Sequence, residues 1–140
     1  MTDASCAFCG IVAGAEKAHV VYDGADGVAF LDRRPLFPGH TLVIPRDHVA
    51  TLPDLATEAI GPFFQLVQRL SAAVPAAMSA TGSFVAMNNV VSQSVPHLHV
   101  HVVPRNRKDG LRGFFWPRQH YDSEDQMAEV AAAISAALTR

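Results

Sequence analysis

The chain has 140 residues, 49% of them hydrophobic and 17% charged, and its net charge is -2 with the seven histidines neutral. That much apolar material in one domain's length excludes a disordered tail, and the slight acidity lacks the basic footprint of a duplex nucleic-acid binder. No apolar run approaches the ~18 residues of a membrane span, no basic and then apolar leader opens the chain, and two cysteines allow at most one disulfide, so the expectation is a cytoplasmic protein without a membrane or nucleic-acid polymer as partner.

Residues 5–14 read as a short opening punctuated by Cys and Gly. Residues 18–22 predict a strand ended by Asp23-Gly24, and residues 27–31 a second one after Asp26-Gly27, spaced as a hairpin. Residues 33–39 crowd Pro and Gly and predict a loop, after which residues 40–44 predict a third strand closed by Pro45. The period then changes. Asp54 is the expected N-cap of a helix over residues 55–78, whose stripe Leu55, Ala59, Phe63, Leu66, Val67, Leu70 and Val74 repeats at three-to-four spacing. Pro62 and Pro75 are expected to kink or shorten it. Residues 82–87 and 97–103 predict two further strands, and residues 123–138 an Ala-rich helix with Ser123 as N-cap. Strands joined by tight turns, with helices that do not alternate regularly with them, give an α+β class built on an antiparallel sheet of about five strands.

The segment that carries chemistry is Pro96-His97-Leu98-His99-Val100-His101-Val102-Val103-Pro104. Alternation with apolar residues predicts a strand with His97, His99 and His101 on one face and Leu98, Val100 and Val102 turned into a core. Neighbouring histidines on such a strand lie about 6.6 Å apart at Cα and the outer two about 13 Å, so one metal could serve neighbours but hardly all three. Three readings stand: a solvated polar face, a three-histidine metal centre, or a nucleophilic imidazole flanked by phosphate donors, its second nitrogen held by an acceptor.

His-Leu-His-Val-His-Val-Val resembles the histidine-triad (HIT) family pattern without a mismatch. So do Ala29-Phe30-Leu31-Asp32, the block from Pro38 to His48 and the opening block from Cys6 to Gly14, all in the expected order. The resemblance implies a HIT-like fold: an antiparallel sheet carrying one long helix, with a C-terminal helix. It implies a single domain over residues 1–140, with a core at 6–104 and an aromatic loop and helix at 105–140. It implies a homodimer, and a nucleotide or nucleotide conjugate, with a purine base, as the bound partner. His99 matches the nucleophile that attacks the α-phosphorus, His101 the phosphate-contacting third histidine, and His40 a further histidine close to the nucleophile. Asp32 matches the acid that grips the ribose hydroxyls, and Phe8, Ile11 and Phe30 the slot for the base. Ser94 matches a hydroxyl that bonds a phosphate oxygen or helps protonate the leaving group, and Gln93 and Asn88 match phosphate-side polar residues. Val90-Val91-Ser92 stands where the family often has a longer Gly-containing loop, which leaves the choice between Asn88 and Asn89 open.

Cys6-Ala7-Phe8-Cys9 has no preceding strand of a thioredoxin-like unit, and a disulfide is disfavoured in the cytosol. The resemblance implies a structural zinc on Cys6, Cys9, His48 and His97, and no organic cofactor. Gly110 to Arg118 holds a Phe-Phe-Trp cluster, and the resemblance implies that Trp116 with Arg112 or Arg118 shapes specificity. The implied activity is hydrolysis of a nucleoside 5′-phosphoramidate through a nucleotidyl-histidine. The alternatives are a dinucleoside polyphosphate hydrolase or nucleotidyltransferase, a metal-dependent hydrolase using the histidine row, and a non-catalytic nucleotide- or zinc-binding regulatory module.

Overall fold

In the computed structural model, residues 2–111 and 118–138 can be described, so Arg112, Phe114, Phe115 and Trp116 lie outside the described residues. The chain forms two compact units, Met1–Asp109 and Gly110–Arg140. The first unit holds α1 (Ala7–Val12), β1 (Val20–Gly24), β2 (Gly27–Leu31), β3 (Thr41–Ile44), a 3-10 turn (Leu52–Asp54), α2 (Thr57–Ala77), β4 (Gly82–Ala86) and β5 (Val100–Arg105). The second holds α3 (Glu124–Leu138). The fold is α+β: the five strands make one antiparallel sheet in the order β1-β2-β3-β5-β4.

Register assigns every side chain of the central strands to one of two faces. Val43 pairs with Ala29 and with Val100, and Thr41 with Val102. Ala29, Val43, Val100 and Val102 pack beneath the buried stripe of α2: Phe63, Leu66, Val67, Leu70 and Val74. On the opposite face Phe30 pairs with Leu42 and Val28 with Ile44, and these four cluster with Phe8 of α1. Leu42 also pairs with His101, which puts that histidine on the α1 face.

Five expectations are corrected. The cysteine-punctuated opening contains a helix, α1, capped by Cys6, whose Sγ accepts from the Cys9 N–H at 3.4 Å. Asp54 does not cap α2. Its carboxylate accepts from the Thr51 N–H and hydroxyl at 3.1 and 2.6 Å, closing the 3-10 turn, and α2 starts two residues later behind Ala56. Pro62 and Pro75 do not stop α2, which runs 21 residues through both. The hairpin turn falls on Ala25-Asp26, between paired Gly24 and Gly27, rather than on the Asp-Gly steps.

The fifth strand starts at Val100 rather than at His97. The reason is visible in the backbone bonds. The Leu98 N–H donates to the Val49 carbonyl at 2.7 Å, and the His97 carbonyl is taken by the His99 ring at 2.8 Å. Residues 97–99 thus spend their polar groups outside the ladder. Ser123 does cap α3, its hydroxyl accepting from the Gln126 N–H at 3.0 Å. Among the described residues no helix is long and apolar enough to cross a membrane.

Candidate active site and metal centre

The loop between β2 and β3 folds back over the α1 face. Its last turn runs Phe37-Pro38-Gly39-His40, closed by the His40 N–H on the Phe37 carbonyl at 3.0 Å. Pro at the second position and a left-handed residue at the third define a type II turn. Gly39 supplies that residue at φ 97°, and a Cβ there would meet Met78 Cγ at 2.5 Å. Asp32 opens the same loop. One carboxylate oxygen accepts the Arg34 N–H at 2.8 Å, while the other lies 3.6 Å from His40 Nε2.

Four side chains form a continuous row. His40 Nε2 and His101 Nδ1 are 2.9 Å apart, and the rings of His101 and His99 are 5.1 Å apart. Phe8 packs edge-on to His99 at 5.2 Å and to Phe30 at 5.3 Å. Ile11 lies partly buried against the same apolar cluster. Acid, histidines and the apolar slot expected for a base therefore meet along one face.

The partners fix each tautomer. The Leu36 N–H donates to His40 Nδ1 at 3.0 Å, so the His40 proton sits on Nε2 and is donated to His101 Nδ1. His101 then carries its own proton on Nε2. The His97 carbonyl can only accept, so His99 donates from Nδ1 and keeps a lone pair on Nε2. Burial pushes His40 below the ordinary histidine range, against the pull of Asp32. Burial, with repulsion from His99 and His40, pushes His101 down to about 4. Both are neutral near pH 7.

A second cluster lies beside the row. Cys9 Sγ is 3.4 Å from His48 Nδ1 and 3.6 Å from His97 Nδ1, and Cys6 Sγ is 3.5 Å from His97 Nδ1. Zinc with Zn–S of about 2.3 Å and Zn–N of about 2.0 Å at tetrahedral angles spaces S and N about 3.5 Å apart. The three S···N distances match that spacing, and all four ligand atoms lie within 4.8 Å of one another, so the donor set suits the ion. His97 donates from Nε2 to the Pro45 carbonyl at 2.9 Å, which turns its Nδ1 lone pair to the cysteines. Burial raises the Cys9 thiol and lowers His97. Phe8 touches His97 as well, at 5.9 Å, so one helix serves both clusters.

The residues between β4 and the row behave differently from expectation. Gln93 is spent on its own loop: its Nε2 donates to the Ala50 carbonyl at 2.6 Å and its Oε1 accepts from the Val90 N–H at 2.8 Å. Asn89 Oδ1 accepts from the Leu52 N–H at 2.8 Å, whereas Asn88 donates only to the Ser92 carbonyl at 3.3 Å. Asn88 is the less committed of the two. Ser94 is exposed in the segment leading to His97. Sequence reasoning missed Asp3, whose N–H donates to Cys9 Sγ at 3.3 Å and whose carboxylate lies 4.0 Å from His48 Nε2. It also missed the backbone groups of Leu36, Pro45 and His97, which no side-chain pattern announces.

The HIT domain family profile matches residues 13–108. The chain is similar to the adenosine 5′-monophosphoramidase of Schizosaccharomyces pombe, 32% identical over 123 residues, which cover 86% of this chain and 90% of that one. The Streptococcus mutans protein SMU.412c has a similar structure, with a TM-score of 0.89 and 32% identity over 98% of this chain and 87% of that one. So does a Zn-bound histidine triad family protein from Mycobacterium smegmatis, with a TM-score of 0.72 and 34% identity over 96% of each chain.

Proposed function

The chain belongs to the HIT domain family, and from that premise we propose that it hydrolyses nucleoside 5′-phosphate conjugates of the phosphoramidate type. The observation that carries this reading is the state of His99. Its Nδ1 is held by the His97 carbonyl at 2.8 Å, which places the proton of the neutral ring on Nδ1 and orients the Nε2 lone pair as the nucleophile.

In this reading Asp32 accepts from the ribose hydroxyls, and a purine base lies against Phe8, Ile11 and Phe30. His99 Nε2 attacks the α-phosphorus, the P–N bond to the leaving amine breaks, and a nucleotidyl-histidine forms. His101, neutral at pH 7, donates from Nε2 to a phosphate oxygen, and His40 holds His101 in that tautomer. The Ser94 hydroxyl, exposed to solvent, relays a proton from water to the departing amine, receiving one as it gives one. Water then attacks the same phosphorus, the P–N bond to His99 breaks, and the nucleoside monophosphate leaves. Asn88 supports the α-phosphate, while Gln93 acts through the loop it holds.

Where zinc is bound, Cys6, Cys9, His48 and His97 hold it, and it supplies a structural cross-link between α1 and the triad segment. The reading further takes the chain as a homodimer in the cytoplasm, where both thiols stay free for the metal. The adenosine 5′-monophosphoramidase named among its relatives supports the substrate class.

The test is intact-protein mass spectrometry after a brief mix with an adenosine 5′-phosphoramidate, with products followed in parallel. Wild type should turn over and show an adenylyl adduct. His99→Ala should lose at least about 10³-fold in kcat/KM while staying folded. Folded wild type with neither turnover nor adduct would refute the reading.

A further inference from the structure

Among the described residues two clusters have side chains that could each hold a metal: Cys6, Cys9, His48 and His97, and Asp32, His40 and His101, the ligand atoms within each cluster all lying within 4.8 Å of one another. Two imidazoles and a carboxylate make a donor set that divalent transition metals accept readily. Burial keeps both imidazoles unprotonated near neutral pH, so protons do not compete for the site. By ligand type and spacing alone, the row could hold a divalent metal of its own, although the cysteine cluster is the stronger zinc set.

The tautomers separate them. A neutral imidazole has one lone pair and one N–H. In the cysteine cluster His97 turns its N–H out to the Pro45 carbonyl and its lone pair in. In the row the arrangement is reversed. The His40 lone pair is taken by the Leu36 N–H at 3.0 Å, so Nε2 presents a hydrogen to the cluster. That hydrogen occupies the His101 Nδ1 lone pair at 2.9 Å. One main-chain amide therefore withdraws two of the three ligands. For His40 to bind a metal at Nε2, its proton must move to Nδ1, where it would face the Leu36 N–H with no acceptor between them.

We propose that the Leu36 main-chain N–H is a positioning group that fixes the His40 tautomer and thereby keeps divalent transition metals out of the Asp32–His40–His101 cluster. Main-chain hydrogen bonding thus adds to the advantage that four ligands with two thiolates already give the cysteine cluster for zinc. The proposal does not depend on the phosphoramidase reading, because its readouts are metal binding and a ring spectrum.

Leu36→Pro removes the N–H while its half-exposed side chain leaves little packing to lose, and Leu36→Ala keeps the N–H as a control. Zinc bound to each protein is counted by native mass spectrometry across a zinc titration. The zinc that disappears on adding Asp32→Ala measures occupancy of the row. Wild type and Leu36→Ala should show none, and Leu36→Pro one equivalent, with affinity at that site raised at least about 10-fold. The 15N shifts of the His40 ring in wild type should show Nε2 protonated and Nδ1 bare. Asp32-dependent zinc in wild type, none in folded Leu36→Pro, or a wild-type His40 protonated at Nδ1 would each overturn the proposal. If Leu36→Pro does not fold, the wild-type ring spectrum and zinc count decide it.

Discussion

His101 sits between His40 and His99, where burial and the two neighbouring rings hold it down to about 4. The consequence for stability has a definite sign. Between the ordinary histidine value of about 6.5 and about 4, an unfolded chain binds a proton at this position and the folded chain does not. Stability is therefore complete above about pH 6.5 and falls as pH drops through that window, by at most about 3 kcal/mol from this residue. His40, also lowered by burial, adds loss in the same direction. Urea midpoints at pH 7.5 and 4.5 should fall with acid in wild type and fall less in His101→Gln. An equal loss in both would mean that His101 does not carry the effect. The histidines themselves were legible in the sequence, because three of them alternating with apolar residues admit few uses. What orients them was not. The groups that choose each tautomer are the Leu36 and Pro45 main chains and the His97 carbonyl, and a backbone atom leaves no mark on residue identity. Gln93 and Asn89 show the opposite failure: residue types suited to phosphate are consumed as acceptors and donors within a tight loop.

At the scale of elements, helix and strand interiors followed from periodicity, while their ends did not. The stripe of α2 buries the expected residues, yet both termini are set by local hydrogen bonds that compete with the pattern. Asp54 is used by Thr51 in a turn of its own. The C-terminus is closed by the Ala80 N–H on the Pro75 carbonyl at 2.8 Å and the Ser79 N–H on the Ala76 carbonyl at 3.4 Å. That pair of bonds is a Schellman motif, whose turning residue is usually Gly. Here Ser79 occupies it at φ 52°, in the left-handed region. Ser79 is exposed and lies outside the site, so Ser79→Gly should relieve the steric cost of that conformation. The expected gain is about 0.5–1 kcal/mol, the glycine's greater freedom in the unfolded chain offsetting part of the relief. Thermal unfolding should show a higher midpoint with an unchanged folded spectrum. A midpoint that drops would mean that the Ser79 side chain stabilises the turn in another way. The opening helix α1 escaped detection for a related reason. Six residues hold too few turns to display a period, and helices of that length form only when something outside them holds them in place.

The whole first unit is asymmetric about its sheet. One face is covered by the 21 residues of α2, which seat five buried side chains on Ala29, Val43, Val100 and Val102. The other face is covered by the six residues of α1 and the loop from Asp32 to His40, and it holds the histidine row. The antiparallel class and the α2 face were readable because alternation and a long stripe both encode burial. The α1 face was legible only through the family resemblance, because no periodicity encodes Cys9 meeting His48 and His97 across 39 and 88 residues of sequence. A short helix that cannot stand alone therefore carries Phe8, the wall shared by His97, His99 and Phe30. On the proposed reading zinc joins Cys6 and Cys9 to His48 and His97 and pins α1; without it, α1 rests on Phe8 and a few partly buried contacts. Removing the metal with a chelator, or replacing Cys9 with Ser, should release this face first and leave the α2 face standing. Hydrogen exchange should quicken in residues 7–12 and at the triad segment, while α2 and the β2-β3-β5 ladder keep their protection. Nucleotide affinity should fall together with the α1 protection, because Phe8 moves with its helix. Uniform loss of protection across both faces would show instead that the metal holds the entire unit, and unchanged exchange at residues 7–12 would show that α1 needs no metal to stay in place.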